Sequence, residues 1–203
     1  HGHPDHVGGL ADVLARFGPL RTSKLRVAGE APLAAELTPI GDGDRIATEG
    51  ATLRAIFSPG HAADHHCFAR EEESAIFSGD NVLGVGTTVI PVEGGDLSRY
   101  LASLQRLLEE PPGRIYPAHG PCIEDGPAKL REYLAHRRQR EGQILAALRP
   151  EAEPVLEIVR RVYTDVPAVL HAAAAHSVTA HLQKLEAEGR AFRTGRAAPL
   201  DDR

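Results

Sequence analysis

The sequence predicts an α/β domain followed by a small helical module, and three observations carry that reading. Short apolar runs alternate as half-buried strands do, and three of them end at a His or Asp beside a glycine. These are residues 53–57 ahead of Ser58-Pro59-Gly60-His61, then Ile76-Phe77-Ser78-Gly79-Asp80, then Arg114-Ile115-Tyr116-Pro117-Ala118-His119-Gly120. Between the second and third, Leu97, Tyr100, Leu101, Leu104, Leu107 and Leu108 recur at helical spacing. Beyond Pro150 and Pro154 the strand pattern gives way to short helical segments.

Taken in order, residues 7–17 read as an amphipathic helix stopped by Gly18-Pro19, with Gly8 and Gly9 letting the backbone turn into it. Residues 25–28 form a short strand, and 39–50, rich in Gly and Asp, a loop or hairpin. Strands follow at 52–57, 66–70 and 75–79. A helix over 97–108 is stopped by Pro111-Pro112; a strand at 114–116 delivers His119, and a long helix covers about 127–148. Pro150 to Pro154 marks a boundary between a first domain, 1–149, and a second, 150–203. In the second, helices are expected at 155–163, 168–175 and 177–188, the last with Val178, Leu182 and Leu185 on one face. Gly189 and a short strand, Ala191-Phe192-Arg193, follow. Three helices turning into a strand suggest a winged-helix module. Such modules often bind nucleic acid, but eight basic and eight acidic residues over 149–203 give no charge signal for it. A packing or substrate-shaping role fits equally well.

Composition bounds the rest. The chain has 203 residues, 42% of them hydrophobic, enough for a packed core, and no apolar run of membrane-spanning length. No signal-peptide pattern is present, so the expected location is cytoplasmic. Cys67 and Cys122 are expected to be small buried hydrophobes in a reducing compartment rather than a disulfide. A net charge of −5 argues against a broad basic groove for duplex DNA. The chain has no methionine and starts inside its most informative motif, so it is expected to be incomplete.

That motif is His-Gly-His-Pro-Asp-His, residues 1–6. Side chains two apart on a tight loop project to the same side, so His1 and His3 can close on one ion while Asp5 and His6 point toward a second. Imidazole and carboxylate donors suit zinc, with manganese and iron less favoured. A tag remnant or solvated tail would lack the Asp and the glycine-led helix entry. The three strand-end residues His61, Asp80 and His119 supply completing ligands.

With these residues the chain resembles the metallo-β-lactamase fold superfamily. Within it, Pro59-Gly60-His61 with Asp64-His65, Phe77-Ser78-Gly79-Asp80, Gly86-Thr87-Thr88-Val89, Tyr116-Pro117-Ala118-His119-Gly120-Pro121 and His136-Arg137-x-x-Arg140-Glu141 look like beta-lactamase-like protein 2, a family of metal-dependent endoribonucleases. The resemblance implies an αββα sandwich, here N-terminally truncated because family members carry further N-terminal strands, with a C-terminal winged-helix module. It implies one metal site of His1, His3 and His61 and a second of Asp5, His6 and His119, with Asp80 bridging. Two divalent metal ions, zinc by preference, would hold a hydroxide between them. Asp5 would orient that nucleophile, and His65 is a candidate proton donor to the leaving group. Relatives have Thr-Asp-Asp-His where this chain has Ala62-Ala63-Asp64-His65, so substrate contacts by the two lost polar groups are not expected. They have Tyr-Pro-Gly-His where it has Ala118, which requires an ordinary backbone there.

The first functional expectation is therefore hydrolysis of single-stranded RNA. It leans on Gly84, Gly86, Thr87 and Thr88 as a phosphate-positioning loop, on Arg137 and Arg140 as phosphate contacts, and on the winged-helix ending. The bland readings are a simple turn and a solvated helix face paired with Glu132 and Glu141. The alternative keeps the metals but hydrolyses a small-molecule ester or thioester, as glyoxalase II-like relatives do. A third reading is a nucleic-acid-binding or scaffold protein with an inactive metal site. No membrane partner is expected.

Overall fold

The computed structural model describes residues 1–28, 30 and 32–193. The elements are α1 (Pro4–Val7), α2 (Leu10–Phe17), β1 (Thr22–Ser23), β2 (Leu37–Thr38), β3 (Arg45–Ala47), β4 (Thr52–Phe57), β5 (His66–Arg70), β6 (Ala75–Gly79), α3 (Leu97–Glu109), β7 (Arg114–Pro117), α4 (Gly126–Ala147), α5 (Val155–Val162), a 3-10 turn (Ala168–Leu170) and α6 (His171–Ala187). One five-stranded sheet runs β3-β4-β5-β6-β7, antiparallel except for the parallel β6–β7 pair; β1 and β2 form a separate parallel pair. The described residues thus contain one five-stranded sheet and this short pair.

The sheet's inner face follows from period-2 alternation. Ile56 pairs with Cys67, and Ile76 lies between Ala69 and Ile115. These side chains meet Leu104 and Leu107 of α3 and Leu130 and Tyr133 of α4 in one core. Burying each large aliphatic there contributes about 1.5–3 kcal/mol. The two helices start at aspartates, Asp96 accepting from the Arg99 amide and Asp125 from that of Ala128, which satisfies an otherwise unpaired first-turn donor. A second core joins Ile144 of α4 to Ile158, Val159, Ala175, Val178 and Leu185. The last turns of α4 therefore serve the C-terminal module, and that core begins before residue 150.

Several expectations need correction. The first helix is two pieces, because Pro4 starts a turn inside the metal motif and Gly8-Gly9 interrupts it. The strand expected at 25–28 is not there. Its place is taken by β1 two residues earlier, since Lys24 turns inward to Asp64 and Glu30 and the chain bends at Val27. The helices expected at 168–175 and 177–188 are mostly one, α6: four consecutive alanines, Ala172 to Ala175, and no glycine or proline leave nothing to stop it. Residues 191–193 are not a strand; the rest of the expected module, 194–203, lies outside the described residues. Both cysteines are free, but Cys122 is exposed, on the segment after His119.

Candidate metal centre

Each donor is aimed by local backbone chemistry. His3 is the residue before α1, extended at φ −66° and ψ 148°, and Pro4 fixes the first helical φ. One turn of helix then presents Asp5 and His6, so the motif is a loop running into a helix. His61 follows Gly60, whose φ of +136° and lack of a side chain let the Tyr100 backbone of α3 pack against it; a Cβ there would lie 2.3 Å from Tyr100 Cα. Asp80 follows Gly79, at φ +51°, where a Cβ would lie 2.8 Å from His65 Nε2. His119 is held through its carbonyl, which accepts from the Gly84 amide at 2.8 Å. Ala118 has an ordinary negative φ.

The structure brings all seven predicted donors together. One atom each from His1, His3, His61 and Asp80 lies within 4.8 Å of the others, and the same holds for Asp5, His6, Asp80 and His119. Asp80 belongs to both groups. Its Oδ2 is 3.3 Å from His6 Nε2, 3.4 Å from His61 Nε2 and 3.8 Å from His1 Nε2, while Oδ1 is 3.3 Å from His119 Nε2. Asp5 Oδ2 lies 3.2 Å from His119 Nε2 and 3.6 Å from His6 Nε2. His3 Nδ1 faces His61 Nε2 at 3.0 Å. Burial, followed by the neighbouring His61, holds the His3 pKa below its ordinary value, so its nitrogen lone pair is available.

The donor set fits divalent ions. His1 Nε2, His6 Nε2 and Asp80 Oδ1 are buried without a hydrogen-bond partner, a costly state that a shared cation would relieve. Nitrogen and carboxylate donors alone match zinc or another borderline divalent metal.

The surroundings fix these donors. His61 Nδ1 meets the Val89 carbonyl at 2.7 Å, which leaves Nε2 as the donor toward the cluster. His65 is fully buried. Its Nε2 accepts the Asp80 amide at 3.1 Å and its Nδ1 sits 2.9 Å from Ser58 Oγ, so both nitrogens are committed. Burial above all holds its pKa well below the usual range. His66 is also buried and bonds the Asp64 carbonyl. Beside Gly2 of the N-terminal motif, the buried Lys24 pairs with Asp64 at 2.6 Å. Lys24 escaped the sequence reading because a single lysine on an irregular stretch carries no signal.

Of the groups expected to contact phosphate, Thr88, Gly84, Arg137 and Arg140 are engaged within the fold, while Gly86 and Thr87 lie exposed on the loop. Thr88 is buried, its hydroxyl donating to the carbonyls of Asp80 at 2.8 Å and Asn81 at 3.1 Å. Gly84 is needed for close approach, since a Cβ there would strike the Pro121 backbone. Arg137 is buried over the Tyr100 ring and donates to the Thr88 carbonyl. Arg140 stacks 4.0 Å from the Tyr163 ring centroid. Glu132 pairs with Lys129, and Glu141 with Lys184 and Arg190 across to the end of α6.

A sheet whose strand ends bring His61, Asp80 and His119 to four donors of an N-terminal loop and helical turn defines a class, the metal-centred hydrolase folds. The chain belongs to the metallo-beta-lactamase superfamily: that family's profile matches residues 1–119, and the beta-lactamase associated winged helix domain matches residues 155–198. Among named relatives, it is 39% identical to the beta-lactamase-like protein 2 homolog of Drosophila melanogaster, covering 94% of this chain and 68% of that one. It is 42% identical to an atrochrysone carboxyl ACP thioesterase of Aspergillus chevalieri, covering 82% of this chain and 54% of the relative. It spans about half the length of the fungal relatives it matches. A metallo-beta-lactamase family protein from Thermus thermophilus shares the fold at a TM-score of 0.70 and 23% identity, covering 95% of this chain and 64% of that one.

Proposed function

We propose that this chain hydrolyses a thioester or activated ester at a centre holding two divalent ions, with His1, His3 and His61 on one, Asp5, His6 and His119 on the other, and Asp80 on both. The observation that carries the two-ion reading is the sharing of Asp80 by two four-residue donor groups. Two such ions supply Lewis acidity toward a carbonyl or phosphoryl oxygen and a water acidic enough to attack near neutral pH. Asp5, exposed on α1, accepts a hydrogen bond from the attacking water and orients it. His65 acts by position, since its Nε2 holds the Asp80 amide and neither nitrogen is free to deliver a proton.

The leaving group then favours a thioester. A thiol ionises near pH ~8.5, so a thiolate departs without a general acid, whereas an alkoxide needs one. The loop beside the centre presents Val85 and Val89 to solvent, 71% and 63% exposed, an apolar flank suited to an acyl chain. The thioesterase among the relatives agrees with this.

A second reading, cleavage of single-stranded RNA, is favoured by two observations. Similarity to the beta-lactamase-like protein 2 homolog covers 94% of this chain, and a winged-helix domain follows the metal domain. Side-by-side assays decide: acyl-thioester turnover and cutting of labelled single-stranded RNA, each with zinc or manganese and with Asp80→Asn as control. Metal-dependent thioester turnover lost in the control supports the proposal. RNA cutting without thioester turnover replaces it with the second reading. Metal-free folded protein without either activity removes both.

A further inference from the structure

We infer that Arg137 and Thr88 form a positioning latch for the metal centre, through which α4 sets the placement of Asp80 and His61; the inference rests on the two-ion reading above. The segment from Asp80 to Val89 touches the centre at both ends. Its first residue is the shared carboxylate, and its last offers the carbonyl that receives His61 Nδ1 at 2.7 Å. Thr88 ties the ends together. Its hydroxyl donates to the Asp80 carbonyl at 2.8 Å, closing the loop on itself beside the ligand. Its own carbonyl accepts from Arg137 Nη2. Pulling on that one peptide group therefore moves the Asp80 backbone through the hydroxyl and the His61 ring through the adjoining Val89 carbonyl.

Arg137 is built for holding rather than for binding from solvent. It is 4% exposed, lies over the Tyr100 ring at 5.4 Å, and forms no ion pair among the described residues. A buried guanidinium without a carboxylate carries a desolvation cost that packing alone does not require. The same loop is held from below at two further points. Tyr100 donates to the Asn81 carbonyl at 2.8 Å, and the Tyr133 hydroxyl meets the Leu83 amide at 3.1 Å and the Gly86 carbonyl at 3.0 Å. Both tyrosine hydroxyls also lie close to the Thr88 side chain, but neither bonds the carbonyl of residue 88 or 89. Of the three, Arg137 is the one that bonds the Thr88 carbonyl, in the peptide group next to the carbonyl that orients His61.

The test measures metal binding in the full chain by chelator competition and by the visible spectrum of the cobalt-substituted protein. Thr88→Val keeps the shape and removes the hydroxyl; Thr88→Ser restores it; Arg137→Met removes the donor. Thr88→Val and Arg137→Met are each expected to weaken divalent-ion binding by about 10- to 100-fold and to shift the cobalt bands. Thr88→Ser is expected to return both to parent values, and the double variant to lose no more than the worse single one. Should Arg137→Met not fold, the Thr88 pair decides. Parent-like affinity and an unchanged cobalt spectrum in Thr88→Val, even with a lowered melting temperature, would overturn the latch and leave ordinary packing. Failure of the unsubstituted chain to bind metal would instead overturn the two-ion reading, and the latch with it.

Discussion

At the scale of single residues, Asp80 is where loss is expected to be largest. Removing its charge takes a donor from both groups at once, so Asp80→Asn should fall from about two bound ions toward none, read by elemental analysis of dialysed protein. Gly79 is the position whose constraint is steric. At φ +51°, with the His65 ring 2.8 Å from any added Cβ, Gly79→Ala is expected to cost about 1–3 kcal/mol in urea unfolding of the metal-free protein. Residue identities at the centre were legible because His and Asp clusters beside strand-end glycines have few structural uses. The role of His65 was not legible. A histidine that donates a proton and one that holds an amide look alike in a sequence, and only the 3.1 Å contact to the Asp80 backbone separates them.

At the scale of elements, β4 to β7 with α3 and α4 matched their sequence patterns closely, because alternation, spacing and proline stops all agreed there, while β3 lay in a stretch read only as a loop or hairpin. Disagreement arose where local signals were weak, as at 25–28, or where a helix lacked a stop, as in α6. The α6–α4 contact carries a pH expectation. His181 is buried on α6 with both ring nitrogens unpartnered, facing Arg137, Arg140, Glu141 and Lys184; burial first, then Arg137, pushes its pKa down to about 4. The unfolded chain takes up this proton near pH ~6.5 and the folded chain only near 4. Stability should therefore decline as pH falls from about 6.5 to about 4, by on the order of 3 kcal/mol, and no further from this group below that. Melting curves of metal-free protein against pH should include this slope beside that of the buried His65, and His181→Leu should make it shallower. By contrast, Asp125→Ala should cost about 1 kcal/mol through loss of the α4 cap, with metal affinity unchanged.

At the scale of the whole molecule, the metal centre joins the N-terminal segment to three strand ends, so bound ions should stabilise the fold. Removing metal with a chelator is expected to lower the melting temperature, and adding back zinc at a hundredfold excess over its Kd should return about 2.7 kcal/mol per site. A small thioester needs few charge contacts, so its kcat/KM should change little between low and high salt. RNA cutting would fall steeply, since each phosphate contact releases counterions. No helix among the described residues is long and apolar enough to cross a membrane.

The sequence by itself located the strands that end beside His61, Asp80 and His119, the helices α3 and α4, and the side chains that gather into one donor cluster, because periodicity and donor spacing are local properties. Only the tertiary structure decided what the polar residues around those donors are for. Thr88, Arg137 and Arg140 read as phosphate contacts along the chain, yet folding turns them inward to carbonyls and aromatic rings. A hydroxyl or guanidinium binds whatever acceptor the fold brings within about 3 Å, and an acceptor 8 residues away, as for Thr88, or 49, as for Arg137, leaves no trace in the neighbouring letters.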